Sequence, residues 1–276
     1  MKKILIPTNF SLNSYHTIDY VTKLFTNEYC EFYFFNSYSY GMSGLNAIEL
    51  LQADDEWFDK PKIDSLKQLG RLVEKYTLKS KNSKHVFHAI CEHSNLVHGL
   101  KNTVEKLDID IVILSSRAEK TIGKTTTNVL KEIRSCPILI VPPNAPVSKG
   151  VHLTIASDFK QKINTNEINK FCKALVNTNF EIGILVLETQ HSLSAEAAIN
   201  LETLIVHVKQ YLIQPIDIEF VQSSNHLKDY AMSHLTDIMC VIDKKPDVFR
   251  KIGLYKSKVI SKLEQLRANT VLTIHQ

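Results

Sequence analysis

Short apolar runs alternate with helical patterns along the chain, which has 276 residues. The clearest case begins with the unbroken apolar run at residues 111–114 and continues through a polar loop. Apolar residues then recur at helical spacing within residues 125–134, and a second apolar run follows at residues 137–141. Unbroken apolar runs are typical of strands covered on both faces, and strands that alternate with helices predict a parallel sheet. The pattern therefore predicts an α/β fold.

The same patterns predict further elements before this stretch. Strands are predicted at residues 3–7, 31–36 and 85–90. A first helix is predicted from an N-cap at Ser11 or Ser14 to Phe25, and a later one at residues 96–107. The intervening region predicts a loop or short helix near residues 45–51, a mobile acidic segment at residues 54–57, and a helix after Pro61. The inward face of that last helix is predicted to consist of Ile63, Leu66, Leu69, Leu72, Val73 and Tyr76.

The order of elements begins again in the second half of the chain. The turn Asn9-Phe10 after the first strand has a counterpart in Asp158-Phe159, and the strand pattern at residues 110–114 has one at residues 237–242. Residues 143–150 have the composition of a linker. We therefore predict two Rossmann-like α/β domains, residues 1–145 and 151–276, that pack as an internal pseudo-dimer.

Composition and charge exclude several classes of protein. The formal net charge is +4 and no run of Lys or Arg is long enough for a nucleic-acid-binding arm, so we expect no nucleic-acid partner. No apolar stretch approaches the length that spans a bilayer, so we expect no membrane association. The five cysteines and the scattered histidines have no metal-binding spacing. They predict mostly buried, reduced thiols in a cytoplasmic protein without a metal site.

The polar loop after residues 111–114 is the main candidate for ligand binding. Parallel sheets bind ligands at the carboxyl ends of their strands, and a helix N-terminus attracts anions. Residues 118–125 fit a relaxed phosphate-binding-loop pattern, but the loop is not glycine-rich and Ala118 replaces the first glycine. Two interpretations stay open: an anion site formed by Lys124, Thr125 and the amides of Thr126 or Thr127, or a solvated loop without a ligand.

Several of these segments together resemble the universal stress protein family. The resemblance rests on Ile4-Leu-Ile-Pro-Thr-Asn-Phe-Ser11 with Ile18 and Tyr20, on Asp110-Ile-Val-Ile-Leu114, and on Cys136-Pro-Ile-Leu-Ile-Val-Pro142. The second half is similar to the degenerate second domain of tandem family members. The resemblance implies a Rossmann-like fold with five parallel strands in each domain, in the order 3-2-1-4-5, and domains that pair through their last strands.

The resemblance also implies a site for ATP with Mg²⁺. Many family members use an aspartate at the end of the first strand and a Gly-x2-Gly-x9-Gly-(Ser/Thr) loop after the fourth. Here Asn9 replaces the aspartate, Ser115 and Ala118 align with the first two glycines, and the loop is about four residues shorter. The residues that the resemblance assigns to nucleotide binding are Thr8, Asn9, Ser115, Ser116, Arg117, Gly123, Lys124 and Thr125. The second half keeps Asp158 but has no glycine-rich loop, so we expect no nucleotide there.

Two functions follow from this comparison, and the sequence leaves both open. The first is a non-enzymatic stress-response or signalling protein that binds ATP or a related nucleotide in its first domain. The second is an interaction module that keeps the fold and has lost nucleotide binding. A nucleotide hydrolase would need a general base and a metal-binding carboxylate, and no catalytic set is recognisable in the sequence. Association of two chains into a homodimer also stays open.

Overall fold

A computed structural model describes residues 1–39, 55–80, 82–116, 122–148, 150–212, 214–222, 226–244 and 258–276. Within these residues the chain forms ten strands, eight α-helices and one short 3₁₀ turn, Gln190–Ser192. The strands are β1 Lys2–Pro7, β2 Cys30–Tyr38, β3 His85–His93, β4 Ile111–Ser115, β5 Ile138–Val141, β6 Val151–Ser157, β7 Phe180–Val186, β8 Asp217–Phe220, β9 Ile238–Asp243 and β10 Thr270–His275. The helices are α1 Leu12–Leu24, α2 Asp55–Lys79, α3 Leu96–Leu107, α4 Lys124–Glu132, α5 Asn166–Ala174, α6 Ala195–Lys209, α7 Leu227–Ser233 and α8 Lys258–Gln265.

All ten strands belong to one sheet, in the order β3-β2-β1-β4-β5-β10-β9-β6-β7-β8. Within each half the strands are parallel and follow the order 3-2-1-4-5, so the predicted fold class is confirmed. The halves meet where β5 and β10 pair in antiparallel register, for example Val271 with Ile140. The division into two domains that form a pseudo-dimer stays a prediction, because a continuous sheet does not show that either half folds alone.

The core consists of two apolar layers, one on each face of the sheet. Strand β5 and the first four residues of β4 are apolar and buried on both faces, as expected for parallel strands covered by helices. Four of the five cysteines are buried, as predicted. Burial raises the pKa of the Cys30, Cys136 and Cys172 thiols to about 12, so these side chains are neutral core groups near neutral pH.

A buried carboxylate joins the two halves away from the sheet. Glu28, in the turn after α1, is only 2% exposed, and it accepts hydrogen bonds from the second half. Its Oε1 accepts from the Asn177 backbone N–H and from Thr178 Oγ1, each at 2.8 Å, and its Oε2 accepts from Asn177 Nδ2 at 3.0 Å. The turn after α1 is thus connected to the turn after α5 by three hydrogen bonds.

Helix α2 differs from its prediction in two ways. It begins at Asp55 rather than after Pro61, so the predicted mobile segment is helical from Asp55 onward. Pro61 is the seventh residue of this helix, so it lies inside the helix, where it removes one backbone hydrogen bond and its ring crowds the carbonyl four residues earlier. Ile63 and Leu66, predicted to point inward, are exposed, whereas Leu69, Leu72 and Tyr76 are buried. The C-terminal part of this helix supplies the buried side chains.

Two other helices, α5 and α7, were not predicted. Helix α5 has buried residues at the helical spacing of Ile168, Phe171 and Cys172, a signal that the pattern analysis did not use. Helix α7 is only one to two turns long, and its buried residues are Leu227 and Ala231. The predicted segment at residues 45–51 lies outside the described residues.

Candidate functional site

A cavity of about 620 Å³ lies where β1 and β4 end, beside the start of β10. This is the edge of the sheet at which parallel α/β proteins bind ligands, and the volume is typical of a small-molecule site. Its walls come from the turn after β1, the end of β4, the start of α4 and the segment that joins α8 to β10.

The predicted site residues lie together in this cavity. Its lining includes seven of the eight: Thr8, Asn9, Ser115, Ser116, Gly123, Lys124 and Thr125. The eighth, Arg117, lies outside the described residues. Their proximity follows from the parallel order of β1 and β4, and their role in nucleotide binding stays a prediction.

The turn after β1 is held by hydrogen bonds from its own side chains. Thr8 Oγ1 accepts from the Phe10 N–H at 3.0 Å, and Phe10 adopts a left-handed backbone with φ of 60°. Asn9 Oδ1 accepts from Ser14 Oγ at 2.7 Å and from the Ser11 N–H at 3.2 Å. Asn9 therefore orders the start of α1, and its amide Nδ2, which has no partner among the described residues, is the group that it can offer to a ligand.

The second half repeats this turn closely. Ser157 Oγ accepts from the Phe159 N–H at 3.1 Å, and Phe159 has φ of 51°. In each half, a hydroxyl residue at the end of the first strand is thus followed two residues later by a left-handed phenylalanine. The internal repeat predicted from the Asn9-Phe10 and Asp158-Phe159 pairs extends to backbone geometry that bulky residues seldom adopt.

Strand β2 supports the site from behind. Asn36 Nδ2 donates to the Thr8 carbonyl at 2.7 Å, and Asn36 Oδ1 accepts from Ser65 Oγ at the same distance. Ser65 in turn accepts from Cys91 Sγ at 3.1 Å. This chain of side chains fixes the Thr8 carbonyl, and its members were not among the predicted site residues.

Helix α4 presents its N-terminus to the cavity. Its N-cap is Gly123, which has no side chain to cap the helix, and the first turn contains no acidic residue. The Thr127 N–H donates to the Gly123 carbonyl, so the amides of residues 124–126 have no acceptor within the helix. These amides and the Lys124 ammonium group favour an anion.

The opposite part of the lining contains an orphaned acceptor. Asn13 Nδ2 donates to the Ser116 carbonyl at 2.6 Å, which ties α1 to the end of β4. Asn13 Oδ1 is buried and has no hydrogen-bond partner among the described residues. A donor on a ligand or a water molecule would satisfy it.

The second half contributes to the same cavity, which the sequence analysis did not predict. Leu263, Leu266, Arg267, Asn269 and Val271 line it because antiparallel pairing places the start of β10 beside the end of β5. Among the described lining residues, Lys124 and Arg267 are charged and none is acidic. The cavity therefore has the electrostatic character of an anion site.

Comparisons with solved structures identify the fold. A universal stress protein from Archaeoglobus fulgidus DSM 4304 superposes with a TM-score of 0.73, over 99% of this chain and 98% of that one, at 14% identity. The chain has the universal stress protein fold. No protein-family model matches the sequence, and no curated protein matches it either.

The universal stress protein fold also links this chain to structures with other descriptions. The cytoplasmic domain of a prokaryotic cation chloride cotransporter matches with a TM-score of 0.58 over 99% of this chain and 94% of its own, at 13% identity. A functionally unknown protein from Pseudomonas aeruginosa PAO1 matches with a TM-score of 0.57 over 100% and 92%, at 8% identity. At such identities the similarity concerns the fold alone.

No group of three or more His, Cys, Asp or Glu side chains in the described ranges could hold a metal ion. None of the helices that the structure describes is both long and apolar enough to pass through a bilayer.

Proposed function

We propose that this chain is a universal-stress-protein-like protein that binds ATP or a related nucleotide in the first-half cavity and does not hydrolyse it. The observation that carries the proposal is the cavity's charge. Its described lining has two cations, a helix N-terminus without a cap and no acidic residue, where the fold places ligands.

The residues fit the parts of a nucleotide in different ways. Lys124 and the first amides of α4 would bind phosphate oxygens, while Asn9 Nδ2 and Asn13 Oδ1 would supply a donor and an acceptor for the nucleoside. The described lining offers hydroxyls but no carboxylate to Mg²⁺. A magnesium ion would therefore bind mainly through phosphate oxygens and water.

Binding without hydrolysis is the better supported form of the proposal. The described lining contains no carboxylate, imidazole or thiol that could act as a general base. A protein that binds a nucleotide without hydrolysing it would act as a sensor or carrier of that nucleotide, which is consistent with a role in stress response or signalling.

The first experiment measures two quantities: the nucleotide that co-purifies with the protein, and the affinity of the ligand-free protein for Mg-ATP. Protein purified without added ligand would be denatured and its supernatant analysed for ATP, ADP and AMP, and the ligand-free protein would be titrated with Mg-ATP by calorimetry. We expect about one nucleotide per chain, since one cavity of suitable size and charge lies in the first half. Binding of two nucleotides per chain would contradict the assignment to the first half alone.

Lys124→Ala tests the phosphate assignment. Loss of a charge-assisted contact should weaken ATP binding by about tenfold or more. Lys131→Ala, which removes the same charge from the last turn of α4 outside the cavity lining, should leave the affinity nearly unchanged. Equal affinity of the Lys124→Ala variant and the unaltered protein would show that the phosphates are not bound by Lys124.

The second candidate function is a ligand-free interaction module. It is favoured by the similarity in fold to the cytoplasmic domain of a prokaryotic cation chloride cotransporter, in which this architecture is one domain of a larger protein. Absence of co-purified nucleotide, together with no heat of binding at millimolar Mg-ATP, would favour this function over the first.

A further inference from the structure

The cavity of about 620 Å³ continues past the first half of the chain. Its lining runs from Asn36, near the end of β2, to Asn269, which directly precedes β10. These two strands are the second and the sixth in the sheet order, so four strand spacings, about 19 Å, separate them. The nucleotide groups assigned above contact residues of the first half only. The end of the cavity beside β10 therefore has no assigned ligand group.

The β10 end of the cavity has an apolar floor. Leu114 of β4 pairs with Ile140 of β5, and Ile140 pairs with Val271 of β10. Paired residues point to the same face of a sheet, so these three side chains form one row. Leu263 of α8 and Leu266, directly after that helix, complete the apolar lining. None of the five is more than 5% exposed, and a flat aliphatic surface of this kind suits the face of a ring.

A buried amide acceptor lies at the same end. Asn269 lines the cavity and is only 2% exposed. Both hydrogens of its Nδ2 are used, because Nδ2 donates to the Ala231 carbonyl at 3.0 Å and to the His234 carbonyl at 2.9 Å. Its Oδ1 is buried and has no hydrogen-bond partner among the described residues. Because an unsatisfied buried acceptor is costly, this oxygen calls for a donor.

Each half thus supplies the cavity lining with one residue whose amide oxygen is orphaned, Asn13 in the first half and Asn269 in the second. Asn13 is bonded to the Ser116 carbonyl at the end of β4, and β4 and β10 are two strand spacings, about 10 Å, apart. Phosphate oxygens are acceptors at neutral pH and satisfy neither amide oxygen. A nucleoside carries donors in its hydroxyls and its base, and a second nucleoside would carry a second set.

We propose that the ligand of this cavity is a dinucleotide, in which a second nucleoside is joined through the phosphates and lies at the β10 end. Its base covers the row formed by Leu114, Ile140 and Val271, and one of its amine or hydroxyl groups donates to Asn269 Oδ1. The inference rests on the proposed nucleotide function and narrows the ligand from a mononucleotide to a dinucleotide. The site is then a product of both halves of the chain.

Calorimetry with a matched pair of ligands tests the second nucleoside. Diadenosine diphosphate is ADP with a second adenosine on its terminal phosphate, and it carries less negative charge than ADP. An anion site alone would therefore favour ADP, whereas contacts of the second nucleoside should make the dinucleotide bind about tenfold more tightly or better. Equal or weaker binding of the dinucleotide, with ATP bound by the unaltered protein, would overturn the inference while leaving the proposed function standing.

Leu263→Phe tests where the second nucleoside lies. The larger ring should occupy the apolar end, so the affinity for diadenosine diphosphate should fall about tenfold or more while the affinity for ADP stays nearly unchanged. Leu201→Phe makes the same change in α6, in the other apolar layer and outside the described cavity lining, and should leave both affinities nearly unchanged. Undiminished dinucleotide binding by a folded Leu263→Phe variant would overturn the placement.

A magnetic resonance measurement tests the Asn269 contact without any variant. In nitrogen-15-labelled protein, the Asn269 Nδ2 signals should shift on addition of diadenosine diphosphate and stay nearly unchanged with ADP, because only the second nucleoside reaches this amide. Absence of a shift with the dinucleotide, or equal shifts with both ligands, would overturn the contact.

The outcomes separate this inference from the proposed function. Binding of the dinucleotide without binding of ATP or ADP would support the inference and restrict the function to dinucleotides. Binding of ATP without a preference for the dinucleotide would overturn the inference alone. Absence of binding by all three ligands would overturn both.

Discussion

His152 at the start of β6 and Asp237 just before the adjacent strand β9 form a partly buried pair. His152 Nδ1 lies 2.7 Å from Asp237 Oδ2, and Thr154 Oγ1 also donates to that carboxylate oxygen at 3.2 Å. Gly183 leaves room for the imidazole, because a Cβ there would approach His152 Cε1 to 3.1 Å. The hydrogen bond to Asp237 raises the pKa of His152 above its usual value, against the opposing effect of burial.

Stability should therefore depend on the protonation of His152. Because its pKa is higher in the folded state, the pair stabilises the protein fully below the unfolded pKa of about 6.5, and this contribution is lost as the pH rises through the folded pKa. The difference in unfolding free energy between the unaltered protein and His152→Gln should be largest in mild acid and should shrink toward alkaline pH.

Urea unfolding from about pH 5 to about pH 9 would measure this difference, with Asp237→Asn as a second variant that removes the hydrogen-bond acceptor. An NMR titration of the His152 ring would follow the same proton directly. A stability difference that grows with pH would contradict the assigned direction of the shift.

At the scale of elements, α3 depends on a close approach to β2. Gly99 lies one turn into α3, and its backbone packs against the buried ring of Phe35. A Cβ at this position would lie 2.7 Å from Phe35 Cζ and 3.0 Å from Glu92 Oε2. Glycine has a low helix propensity, but at position 99 any larger residue would push the helix away from the sheet.

Two helical glycines provide a matched test of this contact. Gly99→Ala should lower the free energy of unfolding by about 1–3 kcal/mol, because the clash outweighs the better helix propensity of alanine. Gly70→Ala in α2, where a Cβ would meet nothing within 4 Å, should instead raise it by up to about 1 kcal/mol. Chemical denaturation of both variants measures the effects, and a Gly99→Ala variant as stable as Gly70→Ala would show that α3 can move away at little cost.

The pattern of apolar residues predicted the central elements better than the peripheral ones. Residues 111–114 of β4 and all four residues of β5 are buried and apolar, so these runs are easily recognised. The predicted start of α2 was wrong because Pro61 was interpreted as marking the helix start, whereas the helix continues through Pro61 despite the backbone hydrogen bond that proline removes. The predicted burial of Ile63 and Leu66 was wrong. Helical periodicity shows which residues share a face of the helix, but it does not show how far the sheet extends beneath that face.

The sequence predicted only those residues of the candidate site that belong to the first half. Asn9, Ser115 and Lys124 follow strands or begin a helix within one repeat, and parallel topology brings such positions together. Arg267 lies in the other half, and its presence in the cavity depends on the antiparallel pairing of β5 with β10. No periodicity in the sequence indicates which cavity a side chain from the other half will line.

At the scale of the whole molecule, the two halves are joined by the sheet and by Glu28. Three donors from the second half satisfy its carboxylate, and the group is nearly inaccessible to water. Removing it would leave those donors without their acceptor, whereas the β5–β10 pairing would remain. The Glu28 contact can therefore be weakened separately from the sheet.

Glu28→Ala should cost about 2–4 kcal/mol of unfolding free energy, because buried donors lose a charged acceptor. Glu28→Gln keeps one carbonyl oxygen and should cost less, while its amide nitrogen would face Asn177 Nδ2. Urea unfolding followed by fluorescence and by circular dichroism would measure both variants. Full stability of Glu28→Ala would mean that the turn after α1 contributes nothing to holding the halves together.

The antiparallel junction of β5 and β10 has a genetic consequence. Two identical subunits that met through such a junction would carry every substitution twice, so a change that closed one cavity would close both. In this chain the equivalent positions are encoded separately, and they can differ, as asparagine at 9 and aspartate at 158 do. Dilution cannot separate the halves either, since their pairing is intramolecular. One half is thus able to specialise as a permanent structural complement while the other keeps an open cavity.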